Sequence, residues 1–556
     1  MNLGRIGLWF GGQNVTESDL SDVSQELDIY SGMLKSQFSL NGSNVSVEII
    51  ADPNSSTVAV QLTSSLLQSS ELGVFFDYPY MTGKNKFEDP FVGVWNATAN
   101  HTTSLQSGGR QAQIQHDLDA TTYFTMIRWN CQASISGPLP SSHRYILQPK
   151  GSSSFSFTAT YSPNARPLQS WENYESISAS SSKWWQNYWE TGAFVDLTQT
   201  AGSAQDNATE LQRRIIQSQY LLAVNEAGRD PPQESGLVNN GWYGKFHAEM
   251  FHWHLGHWGR WGSGTYRTEQ FPVSTNASSQ HLFKEPKNRA TTVPGGQPHP
   301  FHFAEYEYRA FPTQQTLSKW NDILVESAEF MTSYAFWNES TGVYDLGPPM
   351  YPMSENTPPN QTVNPTFELA YWRFGLDIAA KWQTRQGKPV PANWTYVATH
   401  LAPLPVDDDT YVIYESIPDM WHNETFTEDH PSMLGIYGYL PPPPTFNLTI
   451  MQNTVAHVYD TWNFTFSYGW DFPMWAMNAA RMGDLDTAVD FLLHPSFAFD
   501  DAGYPIGGAR VPTPYFPGSS SLLFAIAMLA GGWTGKEGVQ FPDGWTVHAE
   551  GFSPAL

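Results

Sequence analysis

A single cysteine, Cys131, occurs in 556 residues. No intrachain disulfide can form, so a large core must supply the stability, and Cys131 itself reads as a buried thiol in a β region. Basic residues are also scarce: 28 Lys and Arg stand against 53 Asp and Glu, a net charge of −25. Phosphate binding needs clustered cations, so nucleic acid is set aside as a partner. No run of about 20 apolar residues exists to span a membrane. The start, MNLGRIGLWF, lacks a charged segment followed by an apolar run, and the chain is expected to enter midway through a β domain with its true start missing. There is no phosphate-cradling loop, no dinucleotide GxGxxG after a strand and no HEXXH zinc signature. No cofactor and no metal are expected.

What the chain has in quantity is aromatic residues, 15%, matched by only 15% charged residues. Its surface therefore relies on Ser, Thr, Asn and Gln for solubility. Asn-x-Ser/Thr triplets occur at Asn14, Asn41, Asn44, Asn54, Asn96, Asn100, Asn207, Asn276, Asn338, Asn360, Asn393, Asn423, Asn447 and Asn463. So many acceptor sites lead to the expectation of a secreted, extracellular protein carrying N-linked glycans.

The length exceeds one core, and the pattern along the chain changes twice. Residues 1–165 alternate in short runs such as VSVEII, TYFTMIRW and SFSFTATY, separated by Gly, Asn, Ser and Pro, which predicts an antiparallel β-sandwich. Residues 166–210, with aromatics at near-helical spacing from Trp171 to Trp189, read as a helical linker. Residues 211–535 carry helical periodicity at 211–228, 316–336, 365–385, 473–493 and 520–533, with long loops between them. Loops of that size are usually functional, and a toroid of paired helices with a pocket built from its loops fits. Residues 536–556 read as one or two closing strands. The four prolines from Pro441 to Pro444 need no role beyond a rigid loop.

The most unusual segment is WYGKFHAEMFHWHLGHWGRW, from Trp242 to Trp261. Flat apolar faces alternate there with hydrogen-bonding edges at His247, Glu249, His252, His254 and His257. Sugars offer both kinds of surface, so the segment suits the wall of a carbohydrate pocket, with an oligosaccharide or polysaccharide as partner. Histidines three or four apart also share a helix face, but hydrogen bonding to hydroxyls explains His beside Trp as well as a metal would.

Glycoside hydrolysis needs two carboxyls, one to protonate the leaving oxygen and one to activate water or attack. One candidate is Glu355, in the Pro-rich loop GPPMYPMSENTPPNQTVNPTFELAYW, where apolar company would raise its pKa; the alternative is a capping or solvated loop acid. Asp500 and Asp501, in HPSFAFDDAGYPIGG, are candidates for the second carboxyl or else turn formers before Gly503. Asp471, at a helix start, suits either N-capping or a sugar hydroxyl.

With these residues in place, the chain resembles the six-hairpin glycosidases, an (α/α)6 clan, and is similar in layout to glycoside hydrolase family 65. The resemblance covers nearly the whole chain: β-sandwich, helical linker, then a barrel of helical hairpins. It implies that the loop holding Glu355, with Asn364 and the helix after it, matches the family's general-acid loop, although Ser-Glu-Asn-Thr replaces Asp-Glu-Tyr-His. It implies a base near Asp501 or Asp500, in the loop before the last barrel helix, although the clan usually carries Glu there. The expected activity is removal of a terminal, α-linked sugar with inversion. Trp242, His247, Glu249, His254 and Asp471 are expected to hold the sugar, with Glu368, Trp372 and Arg373 nearby. Ser519, Ser520 and Ser521 lie near where family 65 phosphorylases hold phosphate, so phosphorolysis is one rival and helix capping the bland reading. A catalytically inactive sugar-binding protein is the other rival.

Overall fold

From Gln111 to Leu118 the side chains alternate between partly exposed and buried at every residue, putting Ala112, Ile114, His116 and Leu118 on one inner face. The same logic builds two antiparallel sheets. In chain order the strands are β1 Arg5–Phe10, β2 Gln13–Asn14, β3 Leu20–Asp28, β4 Met33–Leu40, β5 Ser43–Ala51, β6 Thr57–Thr63, β7 Leu72–Asp77, β8 Thr102–Gly108, β9 Gln111–Leu118, β10 Thr121–Trp129, β11 Ala133–Ser136, β12 Arg144–Pro149 and β13 Ser154–Ser162. One sheet has the order β11-β12-β7-β1-β2 and the other β3-β4-β5-β6-β13-β10-β9-β8. Val74, Phe76 and Leu147 from the first meet Val60, Leu62, Ile114, Ile127 and Phe157 from the second in one core, with Phe76 edge-on to Phe157 at 5.7 Å.

This computed structural model describes residues 2–82, 84, 93–165, 173–228, 232–239, 250–262, 298–507, 511 and 513–556. The chain divides into two compact units, Met1–Thr191 and Gly192–Leu556, a division inside the stretch 166–210 read as a linker. Helix α1, Tyr174–Glu190, belongs to the first unit. Asn173 caps it by accepting from the Ser176 amide, and Tyr174 and Ile177 close over Ile50 and Ala59. Phe194–Asp196, in the second unit, pairs instead with His548–Glu550 from the C-terminal segment.

The second unit is helical. Its helices are α2 Gln205–Glu226, α3 Phe251–Trp261, α4 His299–Ala310, α5 Gln314–Tyr334, α6 Thr366–Arg385, α7 Ala392–Thr399, α8 Leu448–Thr461, α9 Asp471–Met482, α10 Leu485–Leu492 and α11 Phe516–Gly531. Contacts run α3 to α4, α4 to α6, α6 to the 3-10 turn Ser432–Tyr437, that turn to α9, α9 to α11, and α11 back to α3. These six elements close an inner ring. Outside it α2 lies on α11, α5 on α4 and α6, α7 on α5 and α6, α8 on the turn, and α10 on α9. This is the barrel of helical hairpins.

Burial explains why two of the helices carry no amphipathic stripe. Every residue of α3 is buried, and so is all of α11, so neither has the polar stripe that marks an amphipathic helix. The span 473–493, which reads as one helix, is two: Gly483 ends α9 at φ +90°, and Asp484 caps α10 through the Thr487 amide. Indoles fasten the layers together. Trp382 donates to the Leu317 carbonyl at 3.1 Å, Trp372 to the Met331 carbonyl at 3.0 Å and Trp320 to Glu307 at 2.7 Å.

Two predictions follow from this packing. Trp382→Ala should lower unfolding free energy by about 3–5 kcal/mol in urea titrations, the usual cost of emptying an aromatic site. In the first unit, His101 and His116 share a 2.6 Å contact, and burial with neighbouring rings lowers their pKa values to about 4 and about 3. Both are neutral when folded and titrate near 6.5 when unfolded, so their stabilisation is complete above pH 6.5 and lost as pH falls toward 4. The urea midpoint of this unit should drop over that range, and the drop should be shallower in the His101→Gln, His116→Gln double variant.

Candidate active site

Glu355 is an exposed acid on a loop whose neighbours are all tied down. At the base, Leu346 and Asn364 exchange hydrogen bonds, and the Asn364 amide reaches Asp345 at 2.8 Å and Glu415 at 2.6 Å. Asn364 adopts φ +52°, a left-handed conformation that Asn tolerates. Further along, the Met353 amide donates to Glu368 Oε1 at 2.7 Å. Ser354 Oγ donates to the His430 carbonyl and meets Ser432 Oγ, both at 2.7 Å. The Asn356 amide donates to Asp429 Oδ2 at 2.6 Å. Residues 353, 354 and 356 are thus fixed, and the Glu355 side chain projects from a held backbone.

The groups that hold it are ionisable and buried. His430 Nδ1 meets Asp471 Oδ1 at 2.8 Å, and Asp471 Oδ2 accepts from the Tyr468 amide. Burial opposes a charge on His430, but Asp471, Asp429 and Glu355 outweigh it and raise its pKa to about 9, so the ring is an imidazolium at neutral pH. Burial, with Glu355 adding to it, raises Asp429 to about 6 against the pull of His430. Burial likewise lifts Glu368 to about 7, and its Oε2 has no hydrogen-bond partner among the described residues. Glu368 and Asp471 stand in the first turns of α6 and α9, where helix dipoles favour negative charge. Trp470 stacks on His430 at 4.1 Å, and Trp253 of α3 stacks on Trp470 at 4.9 Å. One cation, three neighbouring acids and a column of flat rings make a site suited to proton transfer beside a sugar.

The other expected residues have partners of their own. Asp500 accepts from the Tyr504 amide within its own turn, and Arg213 of α2 donates to the Asp500 carbonyl and feels the charge of both Asp500 and Asp501. No contact joins either acid to Glu355 among the described residues. Trp372 is spent on α5, and Arg373 pairs with Asp377 and the Ala398 carbonyl, so both serve the seam between inner and outer helices. His254 is not on an open wall: it is buried within α3 and bonded to Glu226 at 2.8 Å. Trp242, His247 and Glu249 fall outside the described residues. Ser519, Ser520 and Ser521 are all buried; Ser520 bonds His257, and Ser521 caps the Gly518 carbonyl. Asp429 and His430 were not recognised in the sequence. Their signal is the acid-histidine pair in TEDHPSM, just before a buried turn.

No protein-family model matches the chain, and no curated protein matches it. Solved structures do. A human-microbiome protein assigned as a kojibiose phosphorylase superposes with a TM-score of 0.69 at 10% identity, covering 99% of this chain and 83% of its own. A bacterial glucoamylase, solved with acarbose, gives 0.58 at 11% identity, covering 95% and 88%. The fold is that of the six-hairpin glycosidases. Both units of the six-hairpin layout, sandwich and helical barrel, are present in this chain.

Glu368 offers a direct test of the site's electrostatics. Its folded pKa of about 7 exceeds the ordinary 4.5, so the folded state is favoured below pH 4.5 and loses that advantage as pH rises to 7. Glu368→Gln keeps an acceptor for the Met353 amide and removes the charge. It should therefore stabilise the protein at pH 8 by at most about 3 kcal/mol, and have little effect near pH 4, in paired urea titrations.

Proposed function

We propose that the protein is a secreted, exo-acting glycoside hydrolase that removes a terminal, α-linked sugar with inversion. The observation that carries the reading is the loop that fixes the backbone on both sides of Glu355 while leaving its carboxyl exposed, next to the buried Asp429, His430 and Asp471. A pocket that commits several buried ionisable groups to holding one exposed acid suits catalysis better than binding alone. The six-hairpin fold, and the sugar chemistry named for the two similar structures, agree with it. Hydrolysis is favoured over phosphorolysis because the described groups around Glu355 are mainly acidic, and the three serines are engaged in helix packing. Secretion is supported by the acceptor asparagines: none of the thirteen that fall among the described residues is buried.

In this reaction Glu355 gives its proton to the glycosidic oxygen as the bond to the anomeric carbon breaks. A water oxygen bonds to that carbon, and the proton it sheds passes to the second carboxyl. For that group we take Asp501, with Asp500 as alternate, in the loop before α11; the raised pKa of the buried Asp429 is a property of an acid, and its carboxylate holds the Asn356 amide of the Glu355 loop. Trp253, Trp470 and His430 offer the stacked surface beside which a sugar ring would lie.

The test is a panel of aryl glycosides and natural oligosaccharides, with product anomers followed by NMR. Glu355→Gln should lower kcat by about 10² or more. Asp501→Asn, or Asp500→Asn if that residue is the base, should lower kcat by a comparable factor. Sugar binding without turnover anywhere in the panel would instead identify a binding protein.

A further inference from the structure

Away from Glu355, the second unit carries an aromatic surface that neither packing nor the proposed reaction uses. The short hairpin of Phe336–Asn338 and Val343–Asp345 lies beside the outer helix α7. Trp337 sits 5.1 Å from Tyr344, 6.3 Å from Tyr396 and 6.4 Å from His400, measured between ring centres, and Tyr396 stacks on His400 at 4.1 Å. Exposure reaches 48% at Tyr396 and 37% at Trp337. Contiguous exposed aromatics of this kind mark a surface that something covers.

The sequence supplies the cover. Asn393 of the triplet Asn393-Trp394-Thr395 is exposed on α7. Asn393, Tyr396 and His400 fall at i, i+3 and i+7, so they line one helix face, with neighbours roughly 5–6 Å apart. The residue between them that faces inward is Trp394, buried and bonded to Glu329. The Asn393 side chain makes no hydrogen bond among the described residues, whereas Asn338, the other acceptor beside the rings, donates its Nδ2 to Asp345 and accepts at Oδ1 from the Ser340 amide and hydroxyl. The attachment nitrogen of Asn393 is therefore the one open to modification. Pyranose rings have an apolar face that stacks on Trp and Tyr, and the hydroxyls around it can reach His400 and Thr399.

We propose that Asn393 carries an N-linked glycan whose first sugars lie on the platform formed by Trp337, Tyr396 and His400. The glycan then functions as part of the fold, covering rings that the polypeptide leaves in water. The inference rests on the secretory reading given above.

The full chain, secreted from a eukaryotic host, is analysed by glycopeptide mass spectrometry and by thermal melting, in wild type, Asn393→Gln, Trp337→Ala/Tyr396→Ala and the triple variant. Asn393 should be occupied. Asn393→Gln should lower Tm by roughly 1–2 °C, a shift of the size expected for about 1 kcal/mol or less in a unit this large. The same change made in the Trp337→Ala/Tyr396→Ala background, or in protein from a bacterial host, should cost nothing further. Equal losses in both backgrounds, or Asn393 empty while other acceptor sites are filled, would overturn the proposal and leave secretion standing. If every acceptor site is empty, the secretory reading falls with it. Protection of the Trp337 indole by added substrate oligosaccharides in unglycosylated protein would make the platform a substrate surface and also overturn the proposal.

Discussion

The buried ion pair between His430 and Asp471 is the constraint on which the site depends. Taking two charges out of water is costly, and the cost is met only when geometry is good and the remaining polar atoms find partners. Here both conditions tie distant segments together. Asp471 is fixed at the first turn of α9 and by the Tyr468 amide, while His430 is clasped between Trp470 and Tyr468 just before a turn of the inner ring. Once His430 is placed, its carbonyl takes Ser354, Asp429 beside it takes Asn356, and Glu355 is left between two anchors. Removing one partner would leave a lone charge in a dry place, so the network is held as a whole.

Two kinds of interaction divide the labour in the helical unit. Indoles and apolar faces join inner helices to outer ones, and they account for Trp320, Trp372 and Trp382. Buried acids join the loops to the helix N-termini, and they account for Glu368, Asp429 and Asp471. In the first kind the apolar contact is non-directional, and the indole N–H bonds fix only the orientation of each ring. The second is directional and carries ionisation, so it concentrates where chemistry is done. Glu368 shows the difference: it stands in the same helix as Trp372 and Trp382, but it spends its carboxyl on the Met353 amide of the Glu355 loop.

Much of the architecture was legible because periodicity survives in the sequence. Strands that bury one face alternate, as β9 does, and helices that bury one stripe repeat, as α5 does with Leu317, Trp320, Leu324, Ala328 and Met331. Periodicity was not enough at α3. The residues from Phe251 to Trp261 read as a pocket wall because aromatic faces and hydrogen-bonding edges alternate there; in the structure α3 is buried at every residue. Composition misled at Trp372 and Arg373 for a related reason. Both are residue types that bind sugars, and only their direction from α6, toward α5 and Ala398, shows that they are spent on packing.

By itself the sequence determined the order of the two units, the absence of intrachain disulfides, the net negative charge and the acceptor asparagines. Each of these is a property of composition or local pattern, and local pattern is enough to decide secondary structure and turn chemistry. Only the tertiary structure decided which acids stand together. Glu355, Asp429 and Asp471 lie in separate stretches of chain, and their neighbourhood exists because contacts between distant segments tie the Glu355 loop to Asp429 and His430 to Asp471. A carboxyl's chemistry depends on burial and on the charges within a few ångströms of it, and those are set by contacts between residues far apart in sequence.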